Sequence, residues 1–299
     1  MNERKRQVLM TAQRLFVEKG FQTTSIQDIL DAAKISKGTF YNYFASKNEC
    51  LMAILEQAHI ESTIRRRELL VGHDITDKTI LAKQISVRLV VNREQHLMPL
   101  YEAVLYSGDE DLRAFIRKRH LTELRWLADR LVDVYGKEAT PYANDGAVIL
   151  IGIIQHYHHF CNGCKQDFDA DKTISFCIRR LDSIMQGMME ADDHFIEGEI
   201  WRGLEQPVDD KSAIQQRLIE QFSGFLRHLT DESRQHEIQY TQFLLEEMKA
   251  DHPRLFILET VARSFRETFN GTAHESEAHE LISHLWKYID LLKKDSQSS

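Results

Sequence analysis

Proline and glycine are scarce in this 299-residue chain, with four Pro and thirteen Gly. Proline breaks helices by removing a donor and clashing with the preceding turn, and glycine weakens them. Their rarity excludes collagen-like and proline-rich linker architectures and permits long, unbroken helices. Cysteine is too rare for a disulfide scaffold. The four residues Cys50, Cys161, Cys164 and Cys177 read as reduced thiols. Long hydrophobic runs are missing as well. The longest, Ala147 to Ile154, spans eight residues, far short of the roughly 20 that a bilayer requires. At the N-terminus Arg4-Lys5-Arg6 precedes an apolar trio that Thr11, Gln13 and Arg14 interrupt, which is not a signal-peptide pattern. A cytoplasmic protein is expected, and Asn270-Gly271-Thr272 is then a chance sequon. The chain also has no glycine-rich phosphate loop, no nucleophile elbow and no His-Glu-x-x-His. No enzyme, catalytic residue or cofactor is expected.

Charge is present but unevenly placed. The net charge is −8, which excludes a general polyanion binder. Yet residues 1–47 hold eight Lys or Arg against four Asp or Glu, a net of +4, so the rest of the chain carries −12. A basic head on an acidic body confines nucleic-acid affinity to one face.

That head has a helix-turn-helix pattern. Val8, Leu9, Ala12, Leu15 and Phe16 recur at helical spacing until Gly20; Ile26, Ile29, Leu30 and Ala33 repeat the spacing. Thr24 is the expected N-cap of this second helix, with Gln27 in the capping-box position. After Lys34-Ile35, Ser36 caps a short third helix with Phe40 and Phe44 inward and Lys37, Gly38, Thr39, Tyr41, Asn42 and Tyr43 outward. Lys and Tyr suit phosphates, Thr and Asn suit base edges, and Gly admits close backbone approach. A further box, Ser46/Glu49, opens a long helix.

The run Ser36-Lys37-Gly38-Thr39-Phe40-Tyr41-Asn42-Tyr43-Phe44 and Ser46-Lys47-Asn48-Glu49 resembles the recognition helix and following helix start of TetR-family bacterial regulators. The resemblance is specific to about residues 3–60. It implies that Lys37, Gly38, Thr39 and Asn42 meet the major groove, that Thr24, Tyr41, Tyr43 and Lys47 hold phosphates, and that Gln27 stands at a base-contacting position. Lys34 occupies a turn position where the family often has Gly. A left-handed lysine there costs roughly 1 kcal/mol.

Apolar periodicity continues through a helix from Ser46 toward Leu69, then near 77–95, 97–106, 110–135, 143–161 and 171–190. An all-α protein is expected: a three-helix head (1–47), a helical ligand-sensing and dimerisation bundle (48–191) and an acidic helical extension (192–299). The extension carries twelve Lys or Arg against twenty-one Asp or Glu, which argues against a second DNA-binding module. Its apolar stripes predict four helices of about 15–22 residues, and Lys293–Ser299 reads as a frayed tail. By resemblance, helices 143–161 and 171–190 pair across a homodimer through Ile149, Ile153, Tyr157, Cys177, Leu181, Ile184 and Met188. Tyr101, Leu105, Phe115, Trp126 and Leu127 line the ligand cavity, or else form plain core.

Two local clusters invite a metal reading. His156, His158, His159, Cys161 and Cys164 offer imidazoles and thiols within nine residues, but the spacing matches no zinc motif. Asp167, Asp169 and Asp171 imitate a calcium loop, yet Lys172 stands where the loop needs Gly and Ile178 where it needs Glu. Asp169 or Asp171 as a helix cap fits better. No metal is expected.

The reading is a homodimeric repressor that binds pseudo-palindromic double-stranded operator DNA, is released by a small apolar or aromatic ligand, and touches no membrane. Two alternatives remain open. One is an architectural or cell-division protein whose extension recruits a protein partner; the other is an enzyme with a vestigial head.

Overall fold

The computed structural model describes residues 3–164, 168–197, 210–229 and 235–298. These residues form helices and no strands. In chain order they are α1 Glu3–Lys19, α2 Ile26–Ala33, α3 Lys37–Tyr41, α4 Lys47–Glu68, α5 Lys78–Glu94, α6 Met98–Tyr106, α7 Glu110–Tyr135, α8 Ala143–Gly163, α9 Ala170–Ala191, α10 Lys211–His228, α11 Gln235–Lys249, α12 Leu255–Phe269 and α13 Glu275–Ser298. A single 3₁₀ turn, Lys137–Ala139, follows α7. Helix ends agree with the expected spans to within about two residues. The polar tail differs, because α13 continues through it to Ser298 instead of fraying at Lys293.

The helices sort into two compact units. The first contains α1 through Glu18, α2, α3, α4 and the C-terminal helices α10–α13. The second contains α5–α9.

In the first unit, α1–α4 bury Val8, Leu9, Phe16, Ile29, Leu30, Phe40, Phe44, Leu51, Ile54 and Leu55. Further along the same fourth helix Ile64 is buried again, this time in a core with Leu218, Phe222, Phe225, Leu244, Met248, Phe265, Phe269, Leu285, Trp286 and Ile289 of α10–α13. Its neighbours Ile60 and Val71 pack against that core. Phe265 and Phe269 stack one turn apart, centroids 4.7 Å, and Phe225 closes on Phe269 at 5.2 Å. Such tilted and edge contacts match the quadrupole preference of aromatic rings.

The second unit is built on α7, α8 and α9, with α5 laid along α9. Leu127, Leu131, Ala147, Leu150, Ile174, Cys177, Leu181 and Met185 form its core. A Cβ at Gly146 would fall 2.6 Å from Met185 Sδ and 3.0 Å from Leu131 Cδ1, so the ends of these two side chains occupy the space that a larger residue would need. Asp169 caps α9, its Oδ1 accepting from Lys172 N at 3.1 Å.

Caps fix the ends of the short head helices, with one correction. The N-cap of α2 is Ser25, not Thr24, and the reciprocal partner is Asp28, not Gln27. Ser25 Oγ accepts from Asp28 N at 3.1 Å, and Asp28 Oδ2 accepts from Ser25 N at 2.8 Å. Thr24 is unavailable because its side chain is fully buried and its hydroxyl donates to the Leu15 carbonyl at 3.3 Å. The α2–α3 turn is entered through Lys34 in the left-handed region, φ 54° and ψ 48°, with Ile35 N donating to Leu30 O at 3.1 Å. A Cβ-bearing residue there costs about 1–2 kcal/mol, and glycine would avoid it. Lys34→Gly is therefore expected to raise stability by about 1 kcal/mol. Urea unfolding should show a higher midpoint at unchanged slope.

Candidate nucleic-acid interface

The third helix has five residues, too few to be stable alone. Three features hold it in place. Ser36 Oγ accepts from Thr39 N at 3.1 Å and lies 2.9 Å from Thr39 Oγ1. Phe40 and Phe44 are buried with centroids 5.6 Å apart, a pedestal beneath the helix. Lys5 of α1 stands over the Phe44 ring at 5.1 Å. Above this pedestal Lys37, Gly38, Tyr41 and Asn42 are exposed, and Thr39 and Tyr43 half-exposed. The face thus gathers one cation, two phenols, an amide, a hydroxyl and an open glycine within seven residues. Tyr41 is 44% exposed, and Lys37 Nζ lies 5.9 Å from its ring centroid.

Gly38 is open to solvent. A Cβ there would meet only Ser36 Oγ, at 3.8 Å. The packing around this position therefore leaves room for a Cβ.

The residues flanking this face divide into two groups. Gln27 is exposed on α2, its amide donating to Asp31 Oδ1 at 2.7 Å. Lys47 is half-buried at the start of α4, and its ammonium donates to the Thr24 carbonyl at 2.8 Å. Partial burial holds that ammonium below the usual lysine value. Thr24 and Lys47 therefore form a strut between the entry of α2 and the entry of α4, with the threonine side chain facing inward. Ser46 Oγ accepts from Glu49 N at 3.0 Å, and Glu49 Oε2 accepts from Ala45 N at 2.5 Å. Beneath them burial pushes the Cys50 thiol up to about 12, the Glu49 charge adding to it and Lys5 opposing, which keeps it an unreactive core group.

Elsewhere the expected site residues separate. Leu127 is buried in the core of the α5–α9 unit and Trp126 packs against it; Tyr101 and Phe115 are half-buried, and the Leu105 side chain lies outside the described residues. Cys177 and Leu181 are fully buried in the same core. The outward apolar surface lies instead on the adjacent face of α8. Ile149, Gly152, Ile153, His156, Tyr157 and Phe160 line an open hollow of 590 Å³ there, with Tyr157 40% and Phe160 62% exposed. Phe176 of α9, 37% exposed, meets Tyr157 edge-on at 5.8 Å. Phe160 and Phe176 are not among the residues expected at an interface, although Phe160 continues the i, i+4 spacing of Gly152 and His156. Among the described residues no group of three His, Cys, Asp or Glu is placed to hold a metal ion, and no helix is long and apolar enough to cross a membrane.

Comparison with known proteins agrees with this geometry. The family model "Bacterial regulatory proteins, tetR family" matches residues 8–54, which span α2, α3 and the strut. The chain is similar to the uncharacterized HTH-type transcriptional regulator YuxN of Bacillus subtilis (strain 168), 26% identical over 274 residues that cover 90% of this chain and 94% of that protein. An alignment of that reach takes in most of α10–α13 as well. YerO of the same strain is 29% identical over 198 residues, 64% of this chain and 68% of that protein. An uncharacterized HTH-type regulator encoded in the lacX 3' region of Lactococcus lactis subsp. lactis is 37% identical over 186 residues, 56% of this chain and 91% of that protein. No solved structure matches. The chain belongs to the TetR family of bacterial regulatory proteins and is a DNA-binding, helix-turn-helix transcriptional regulator.

Proposed function

We propose that this regulator is a homodimeric repressor whose two α3 helices enter successive major grooves of a pseudo-palindromic operator, roughly 34–36 Å apart. The observation that carries the reading is the exposed α3 face, in which Lys37, Gly38, Thr39, Tyr41 and Asn42 stand on a buried aromatic pedestal. Lys37, Thr39 and Asn42 address base edges, and Gly38 lets the backbone close on the groove. Tyr41 and Tyr43 address phosphates, and Gln27 approaches from α2. Lys47 contributes charge beside a phosphate while bracing α2 through Thr24.

Dimerisation rests on the outward face of α8 with Phe176 of α9. Aromatic residues this exposed, clustered around a shallow hollow, favour burial against a second copy. Ile149, Ile153 and Tyr157 belong to this face, and Ile184 and Met188 of α9 are only half-buried. Cys177 and Leu181 support it from within the protomer. A small apolar or aromatic effector is held in the α5–α9 unit near Tyr101, Phe115 and Trp126, and its binding lowers operator affinity by favouring another arrangement of the heads. The cellular setting is cytoplasmic.

Three substitutions test this reading. Lys37→Ala should lower the salt slope of operator binding by roughly one unit and relax specificity at one base pair by about 1–3 kcal/mol. Gly38→Ala should gain up to about 1 kcal/mol of helix stability yet lose operator affinity at least tenfold. Phe160→Glu should yield folded monomers by light scattering, since its ring is mostly exposed. Wild-type DNA binding by both head variants would overturn the assignment of α3, and a wild-type dimer in the third would overturn the interface.

A further inference from the structure

The C-terminal bundle shares its fourth-helix contact with the DNA-binding head, and the contact is ionic at its centre. Arg266 of α12 donates from Nε and Nη2 to the two oxygens of Glu68, at 2.6 and 2.5 Å, and from Nη1 to Glu61 at 3.2 Å. Glu61 and Glu68 are seven residues apart on α4, so one guanidinium spans two helical turns. His279 of α13 lies 3.6 Å from Glu61 and 3.4 Å from Arg266. Arg65 pairs with Glu61 on its other side, and Arg67 pairs with Asp290 of α13. Both glutamates are buried, 8% and 6% exposed, beside apolar Ile60, Ile64 and Val71.

Apolar contacts between helices tolerate sliding, whereas this cluster has one satisfied register. Buried ion pairs add little net stability over an apolar replacement; their best-attested role is to specify an arrangement, and the planar fork of Arg makes that arrangement directional. Burial pushes the Glu61 carboxyl up, but His279, Arg65 and Arg266 outweigh it and hold the group below its usual range. Glu68 remains raised, because its burial exceeds the help from Arg266.

From Lys47 to Glu68 the fourth helix runs unbroken with neither glycine nor proline, the residues that most often kink a helix. Fourteen residues separate Glu61 from Lys47, roughly 21 Å of helix. A tilt of about 10° at the cluster moves the Lys47 end by several ångströms, enough to break the register of α3 with a groove.

We infer that the C-terminal helices α10–α13 are a built-in positioning element for DNA binding, and that Arg266, by gripping Glu61 and Glu68, sets the pose of α4 and hence the half-site spacing that the protein prefers. The inference rests on the proposed binding of two operator half-sites through α3. It makes the extension a second control point on operator affinity, separate from the α5–α9 unit. Anything that loosens α12 from α4 would change which spacings are bound.

The test uses the full-length protein, an operator selected from random duplexes, and variants of that operator with one or two base pairs added to or removed from its centre. Arg266→Gln is expected to lose at least tenfold in affinity for the native spacing and at most threefold for a neighbouring spacing, which flattens the profile. Arg266→Lys, which keeps the charge and loses the fork, should recover part of the preference. Glu61→Gln leaves the bidentate pair with Glu68 intact and should give the same flattening at smaller amplitude, whether or not Arg266→Gln folds. An unchanged profile in folded Glu61→Gln, or equal losses at every spacing that track the unfolded fraction, would overturn the inference. Lys37→Ala serves as the control. If it binds as wild type, the α3 reading has failed, a result recognisable apart from the spacing profile of the Arg266 and Glu61 variants.

Discussion

One helix belongs to two cores, and that sharing constrains everything else in the DNA-binding unit. The first half of α4 buries Leu51, Ile54 and Leu55 among the head helices, and its second half buries Ile64 among α10–α13. Rotating either half disturbs the packing of one of the cores, and the ion-pair cluster selects among the poses that the packing leaves open. Truncating even a single buried Leu or Ile in such a seam typically costs about 2–5 kcal/mol, a large share of the 5–15 kcal/mol that holds a domain together. The Ser46 cap fixes the start of this helix and the Lys47–Thr24 strut ties it to the entry of α2, while the five-residue α3 is held by its own Ser36 cap and the buried Phe40 and Phe44.

Charge and packing are divided accordingly. Lys37 and the hydrogen-bonding groups Thr39, Tyr41, Asn42 and Tyr43 stand on and beside α3, where burial is low. The acidic majority of the chain lies outside residues 1–47, and Glu61 and Glu68 in the second half of α4 are paired internally with Arg266. In the proposed reading, a protein with net charge −8 binds DNA through one small face without general attraction to nucleic acid.

The helical content was legible because period-3.6 stripes and caps are local. Ser36 and Ser46 are readable as caps from the residues around them, Asp169 only as one of a pair with Asp171, and the resemblance of Ser36–Phe44 to a recognition helix lies in a contiguous run. Adjacent cap candidates were not separable. Thr24 and Ser25 each have a polar residue three positions on, and the choice between them is made by the Leu15 carbonyl, nine residues upstream. An apolar stripe reports burial but not the partner that buries it. Cys177 and Leu181 share their spacing with an interface and lie inside one protomer, whereas Phe160 and Phe176 stand open. The grip of Arg266 on α4 joins residues 198 and 205 positions apart, and ion pairing at that range leaves no periodic trace.

Native-state hydrogen exchange on the full-length protein tests the shared helix most directly. Amides of residues 60–68 in α4 and 281–289 in α13 should open with the same free energy as the head core around residues 51–55, and should shift together in Arg266→Gln, as one cooperative unit requires. Exchange of 60–68 at the rate of a fraying helix end, with 281–289 and 51–55 each protected at separate levels, would contradict the account.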